Sequence, residues 1–144
     1  MKQIGERQAV IERIRVKQKE IESSICFQIY GEIICARCQK QKTIWLDEIE
    51  GRHDGEDSWP SSIRPTNHQL LCEDCHRIKT EGLEFGHHFD YVSKNLPKLK
   101  IYLLMFQQEI GYRIPDLNGT RLKHDLKDIL KATTLAGKVV YAAL

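Results

Sequence analysis

Two short stretches, CARC at 35–38 and RPTNHQLLCEDCHRIKTEG at 64–82, decide how this 144-residue chain folds. Each holds a Cys-x2-Cys pair, Cys35/Cys38 and Cys72/Cys75, with 33 residues between the two pairs. A Cys-x2-Cys turn presents two thiolates on one side, and two such turns complete the tetrahedral S4 shell that Zn2+ favours in structural sites. A disulfide framework is the competing arrangement. Paired knuckles in a chain whose polar start, MKQIGERQAV, lacks the apolar core of a secretory signal favour the metal. A closed S4 shell keeps no position for water, so this ion pins two distant segments and leaves chemistry to other residues. The site cannot exist in the unfolded chain, so its binding free energy, on the order of 10 kcal/mol, becomes folding free energy. The fifth cysteine, Cys26, stands in the apolar run Ile25-Cys26-Phe27 and reads as a small buried hydrophobe.

Outward from the knuckles, the pattern is mixed. Thr43 to His53 combines β-branched and aromatic residues with charge and predicts a strand. Asp54 to Asn67 contains Gly55, Pro60, Pro65 and several serines, the composition of a loop. A helix follows the second knuckle, with His76, Arg77 and Lys79 in its first turns and Gly82 near its end. Upstream, Ile4, Ile11, Ile14, Ile21 and Ile25 recur at helical steps, so residues 2–27 predict a helix with one apolar face, interrupted by Arg7 and Gln18. Downstream, Phe89, Val92, Leu96, Leu99, Leu103, Phe106 and Ile110 form a long apolar stripe in which Pro97 marks a kink or break. Asn118-Gly119 is a turn, and Thr120 caps a last helix built on Leu122, Leu126, Ile129 and Leu130.

The run from Asn67 to Gly82, with EGRHDG at 50–55 and CARC at 35–38, resembles the HNH endonuclease family. Asn67 stands five residues before Cys72 and His76 directly follows Cys75, as that family places them. The likeness covers residues 31–85, a little over a third of the chain, and its specific part is LCEDCHRIKTEG. It implies a small ββα-metal core, which with the four-cysteine zinc site and the N- and C-terminal helices expected from the apolar repeats makes an α+β fold. It also implies hydrolysis of phosphodiester bonds in DNA with a catalytic divalent ion, Mg2+ or another. Carried over by position, His53 is the general base, Asn67 holds that histidine's loop, and His76 is a ligand of the catalytic ion. Arg52, Arg77 and Lys79 are candidate phosphate contacts. The bland readings are a surface histidine at a strand end for His53, a common turn residue for Asn67, and a first-turn helix residue for His76. His68, His87, His88 and His124 lie outside the pattern and read as structural or solvent-exposed.

The chain departs from the family at Arg52, where Asp or His usually supplies the second ligand of the catalytic ion. A guanidinium cannot ligate a cation. The alternatives are a one-ligand site, substitution by Glu50 on the same strand face, a shifted register with His53 as ligand beside Asp54, or a module that binds without cutting.

The formal charge of +2 argues for no partner by itself, but basic residues cluster. Residues 2–19 and 94–100 are basic, and Lys123, Lys127 and Lys131 recur every four residues as one ridge, suited to phosphates or merely to water. DNA is the expected partner and RNA the alternative, with a homodimer or a nucleoprotein complex as the larger assembly. No stretch approaches the roughly 20 apolar residues of a membrane helix, so an intracellular, membrane-free location is expected. The organisation expected is a helix over 1–30, the zinc-bound core over 31–86 and a helical extension over 87–144.

Overall fold

The computed structural model describes residues 2–40, 44–50, 59–81, 96–118 and 125–144. Helix α1 runs Lys2–Tyr30, one turn beyond the end expected from the apolar repeat. Gly31 stops it: its φ of 80° reverses the chain, and its N–H still reaches the Phe27 carbonyl at 2.8 Å. Ile11, Ile14, Ile21 and Ile25 are all buried, as their spacing requires. The side chain of Ile4 lies outside the described residues. Gln18, which interrupts the repeat, is buried too, and its amide donates to the Ile63 carbonyl at 2.9 Å.

Strand β1 (Ile44–Glu48) pairs antiparallel with β2 (His68–Cys72) in a two-stranded sheet. The register sets Ile44 opposite Cys72, Trp45 opposite Leu71, Asp47 opposite Gln69 and Glu48 opposite His68. The expected strand over 43–53 is therefore shorter, because Ile49 and Glu50 bend away; Thr43 and residues 51–53 lie outside the described residues. The loop before β2 contains two short 3-10 turns, Ser61–Ile63 and Pro65–Asn67. Directly opposed residues share a sheet face, so Trp45, Asp47, Gln69 and Leu71 point one way. Ile44, Leu46, Glu48, His68, Leu70 and Cys72 point the other.

Each face has its own cover. Helix α2 (Glu73–Thr80) lies against the Trp45/Asp47 face, and α1 engages the Glu48/His68 face. Helix α3 spans Pro97–Arg113 and buries Leu99, Leu103, Phe106 and Ile110. Pro97 begins this helix, the break of the two expected alternatives and not the kink, since an N–H in the first turn has no intrahelical acceptor to lose. Phe89 and Val92, the upstream part of the stripe, lie outside the described residues. Helix α4 runs Leu126–Ala143 and is capped by Asp125, whose carboxylate accepts the Lys127 N–H at 2.9 Å. Asp125 thus replaces the expected Thr120 cap; Thr120 and Leu122 also lie outside the described residues. Where α4 crosses α1, a Cβ on Gly137 would stand 2.8 Å from Ile21 Cδ1, so glycine lets the two helices close. Side chains from all three stretches, 1–30, 31–86 and 87–144, enter one buried cluster. Among the described residues no helix is long and apolar enough to cross a membrane.

A polar pair is sealed in that core. His68 Nδ1 lies 2.8 Å from Glu22 Oε2, and His68 Nε2 lies 2.7 Å from the Ser62 carbonyl, with both side chains fully buried. A carbonyl only accepts, so Nε2 carries a hydrogen, and one further proton sits between Nδ1 and the carboxyl whichever atom holds it. Burial pushes the Glu22 carboxyl above its ordinary value against the pull of His68, with Arg15 a lesser influence. Burial alone would lower His68, but Glu22, the Ser62 carbonyl and the charge of Glu48 outweigh it and raise the imidazole. Both directions say that the pair retains its proton. An unfolded histidine releases its proton near pH 6.5, so the pair's contribution is present below that pH and lost as pH rises toward the folded value. Glu22→Ala should cost about 3–5 kcal/mol by leaving the imidazole buried and unpaired. Thermal unfolding against pH should show a steeper decline above pH 6.5 in the parent than in Glu22→Gln, whose amide binds no proton.

Candidate functional site

The four knuckle cysteines converge. All four Sγ atoms lie within 4.8 Å of one another, three of the residues are buried, and none is in a disulfide. Cys38 Sγ and Cys72 Sγ are 3.8 Å apart. Zinc–sulfur bonds of about 2.3 Å in a tetrahedron separate neighbouring sulfurs by about 3.8 Å, so the spacing suits a metal ion such as zinc. The backbone is arranged for thiolates. Cys35 Sγ accepts from the N–H groups of Arg37 (3.4 Å) and Cys38 (3.5 Å), and Cys72 Sγ accepts from that of Cys75 (3.4 Å). The Arg37 guanidinium donates to Cys75 Sγ at 3.4 Å, setting a positive charge against the sulfurs. Cys26 stays outside this cluster, buried, with its thiol 3.7 Å from the Glu32 carbonyl.

Beyond the cluster, α2 carries two of the expected site residues, His76 and Lys79, onto the Asp47 face of the ribbon. His76 Nε2 stands 3.5 Å from Asp47 Oδ1, and the imidazole stacks on Trp45 with centroids 5.8 Å apart and planes at 17°. Lys79 Nζ lies 2.5 Å from Asp47 Oδ2, 2.5 Å from the Glu48 carbonyl and 3.3 Å from that of Ile49. Three acceptors occupy an ammonium's three donors. Lys79, expected from the sequence to meet phosphate, therefore turns inward and anchors the end of β1. Gln69 Nε2 donates to the same Asp47 oxygen at 2.8 Å, which fixes the carboxylate from β2.

The loop of His53 that Asn67 was expected to hold lies outside the described residues, but Asn67 ties the end of the β1 segment to the turn before β2. Its Oδ1 accepts the Glu50 N–H at 3.0 Å, and its Nδ2 donates to the Ser61 carbonyl at 3.1 Å. The turn that presents it is held from α3, where Gln107 Oε1 accepts from Thr66 N at 2.9 Å and Thr66 Oγ1 at 2.7 Å. Glu50 is exposed and tied to Asn67 through its backbone; the carboxylate beside His76 is Asp47. The next acid, Glu48, points to the other face and pairs with Arg15 at 3.0 Å. Arg52, His53, Asp54 and Lys123 lie outside the described residues, as do His87, His88 and His124. Arg77 is exposed, 3.9 Å from Asp74, and Lys127 and Lys131 are exposed one turn apart on α4.

Asp47 escaped the sequence reading. Its one signal is an acid directly after the apolar run Ile44-Trp45-Leu46, and such a carboxylate must be paired to be buried. No protein-family model, curated protein or solved structure matches the chain.

Burial pushes the thiols of Cys72 and Cys75 above the ordinary cysteine range, so without metal they are protonated at neutral pH. A metal ion must displace those protons, and its affinity should fall as pH falls. Zinc titrations in buffers of different ionisation enthalpy should report release of protons from these two residues. A chelator strong enough to strip the metal should abolish cooperative unfolding, and readdition should restore it.

Proposed function

We propose that the chain is an HNH-type metal-dependent endonuclease that hydrolyses phosphodiester bonds in DNA, with Zn2+ on the four cysteines as its structural ion. The observation that carries this reading is the pairing of His76 with Asp47 on one ribbon face, beside a turn in which Asn67 accepts the Glu50 N–H. An imidazole nitrogen and a carboxylate oxygen 3.5 Å apart suit a shared divalent ion, since ligands at about 2.0–2.2 Å from one centre stand roughly 3–4 Å from each other. Mg2+ or a similar ion held there would neutralise charge on the scissile phosphate and the leaving oxygen. Asp47 then takes the role that Arg52 cannot. Trp45 and Gln69 hold His76 and Asp47 in orientation, and Lys79 keeps one carboxylate oxygen occupied so that the other faces the histidine. His53 is the general base that takes the proton of the attacking water. The exposed Arg77, Lys127 and Lys131 contact the phosphate backbone, DNA in the first instance and RNA as the alternative.

One observation favours a second reading. Lys79 already supplies a cation to Asp47 at 2.5 Å, which weakens the need for a metal there. On that reading the fold is a zinc-built nucleic-acid-binding or scaffold subunit of a larger nucleoprotein assembly.

Nicking of supercoiled plasmid by the zinc-loaded protein with Mg2+ or Mn2+ separates the two. The nuclease requires cutting that disappears without the added ion and falls on the order of 10²-fold or more in His53→Ala. His76→Ala and Asp47→Asn should be similarly impaired while remaining folded. Failure of the folded parent to cut with any divalent ion would leave the scaffold reading.

A further inference from the structure

We propose that Trp45, backed by His76, is a stacking platform for a base of an unpaired nucleic-acid strand, which makes single-stranded or locally opened nucleic acid the substrate class. The inference rests on the nucleic-acid reading of the same site.

Trp45 is 48% exposed although both its strand neighbours, Ile44 and Leu46, are buried. The chain's other tryptophan shows the contrast. Trp59 is 3% exposed, donates its indole N–H to the Ile63 carbonyl at 3.3 Å and lies beneath the Arg64 guanidinium. Trp45 is instead supported by a near-parallel imidazole, 17° between planes, which fixes the indole without burying it. A large flat ring held rigid and half in water offers contact area at little cost in side-chain entropy.

The ring stands where a substrate strand would run. It shares a ribbon face with Asp47 two residues on, about 7 Å away along the strand, comparable with one nucleotide step. Among the described residues β1 pairs only with β2, which puts the platform on an edge strand. Asp47, the acid on the same ribbon face, is paired with Lys79, which offsets the charge that would repel a phosphate, and exposed Arg77 follows His76 on α2. Bases inside a duplex are already stacked on their neighbours and cannot offer a face to an aromatic side chain, whereas unpaired bases can. The platform is tolerant of base identity, because every base has a π-face.

The test uses the full-length, zinc-loaded chain without added Mg2+ and measures binding of oligo(dT), oligo(rU) and a duplex hairpin of matched length. Trp45→Ala should weaken binding of the unpaired strand by roughly 5- to 150-fold and leave the duplex unchanged. Trp45→Phe should keep most of the affinity but lose the fluorescence quenching that bound bases cause in the parent. The dT and rU arms show which sugar is preferred, and Trp45 dependence in either supports the platform. Equal affinities of parent and Trp45→Ala, equal losses on single strand and duplex, or no binding by the folded parent would overturn it. Plasmid nicking with Trp45-independent binding rejects the platform and keeps the nuclease. Trp45-dependent binding without nicking does the reverse.

Discussion

Four sulfurs within 4.8 Å of one another are the constraint on which the rest of the fold depends. They join residues 35–38 to residues 72–75 and so close the long segment that contains β1 and the turns. Cys72 serves three structures at once. It contributes one sulfur to the cluster, ends β2 opposite Ile44, and caps α2 by accepting the Cys75 N–H. An eight-residue helix is too short to persist in water on its own. With α2 fixed at its N-cap, His76 and Lys79 fall one turn apart over Asp47 and the end of β1, and the ribbon and helix become one unit.

Features with a local signature were legible in the sequence. Cysteine spacing located the cluster, and isoleucine spacing located α1. Strand β2 was not read as a strand because HQLLC is buried at every position and lacks the alternation that distinguishes a half-exposed strand. Asp47 was missed for a related reason. Its partners His76, Gln69 and Lys79 are 29, 22 and 32 residues away, so nothing in its neighbourhood announces the site. Gln18, Glu22 and His68 look like solvent-facing or irregular residues until the partner across the core is known. Lys79 shows the opposite failure: a lysine in a basic, motif-bearing helix reads as a phosphate contact, but three acceptors at the strand end hold it inward.

Strand alternation also separates two adjacent acids, Asp47 and Glu48, into different electrostatic settings. Glu48 turns to the α1 side, where Arg15 pairs with it and His68, directly opposite on β2 and on the same face, pairs with Glu22. That side is closed, and its polar groups serve to join helix to ribbon. Asp47 turns to the α2 side, where one oxygen is occupied by Lys79 and Gln69 and the other faces a histidine whose side chain is 34% exposed. Charge compensation alone does not require that asymmetry, since Lys79 neutralises the carboxylate without His76. A second basic group reaching both Asp47 and solvent is what a ligand, a phosphate or a metal ion would need. Among the described residues the ribbon thus carries the closed Arg15–Glu48 and Glu22–His68 pairs on one face, and on the other the Lys79–Asp47 pair with the half-exposed His76 beside it.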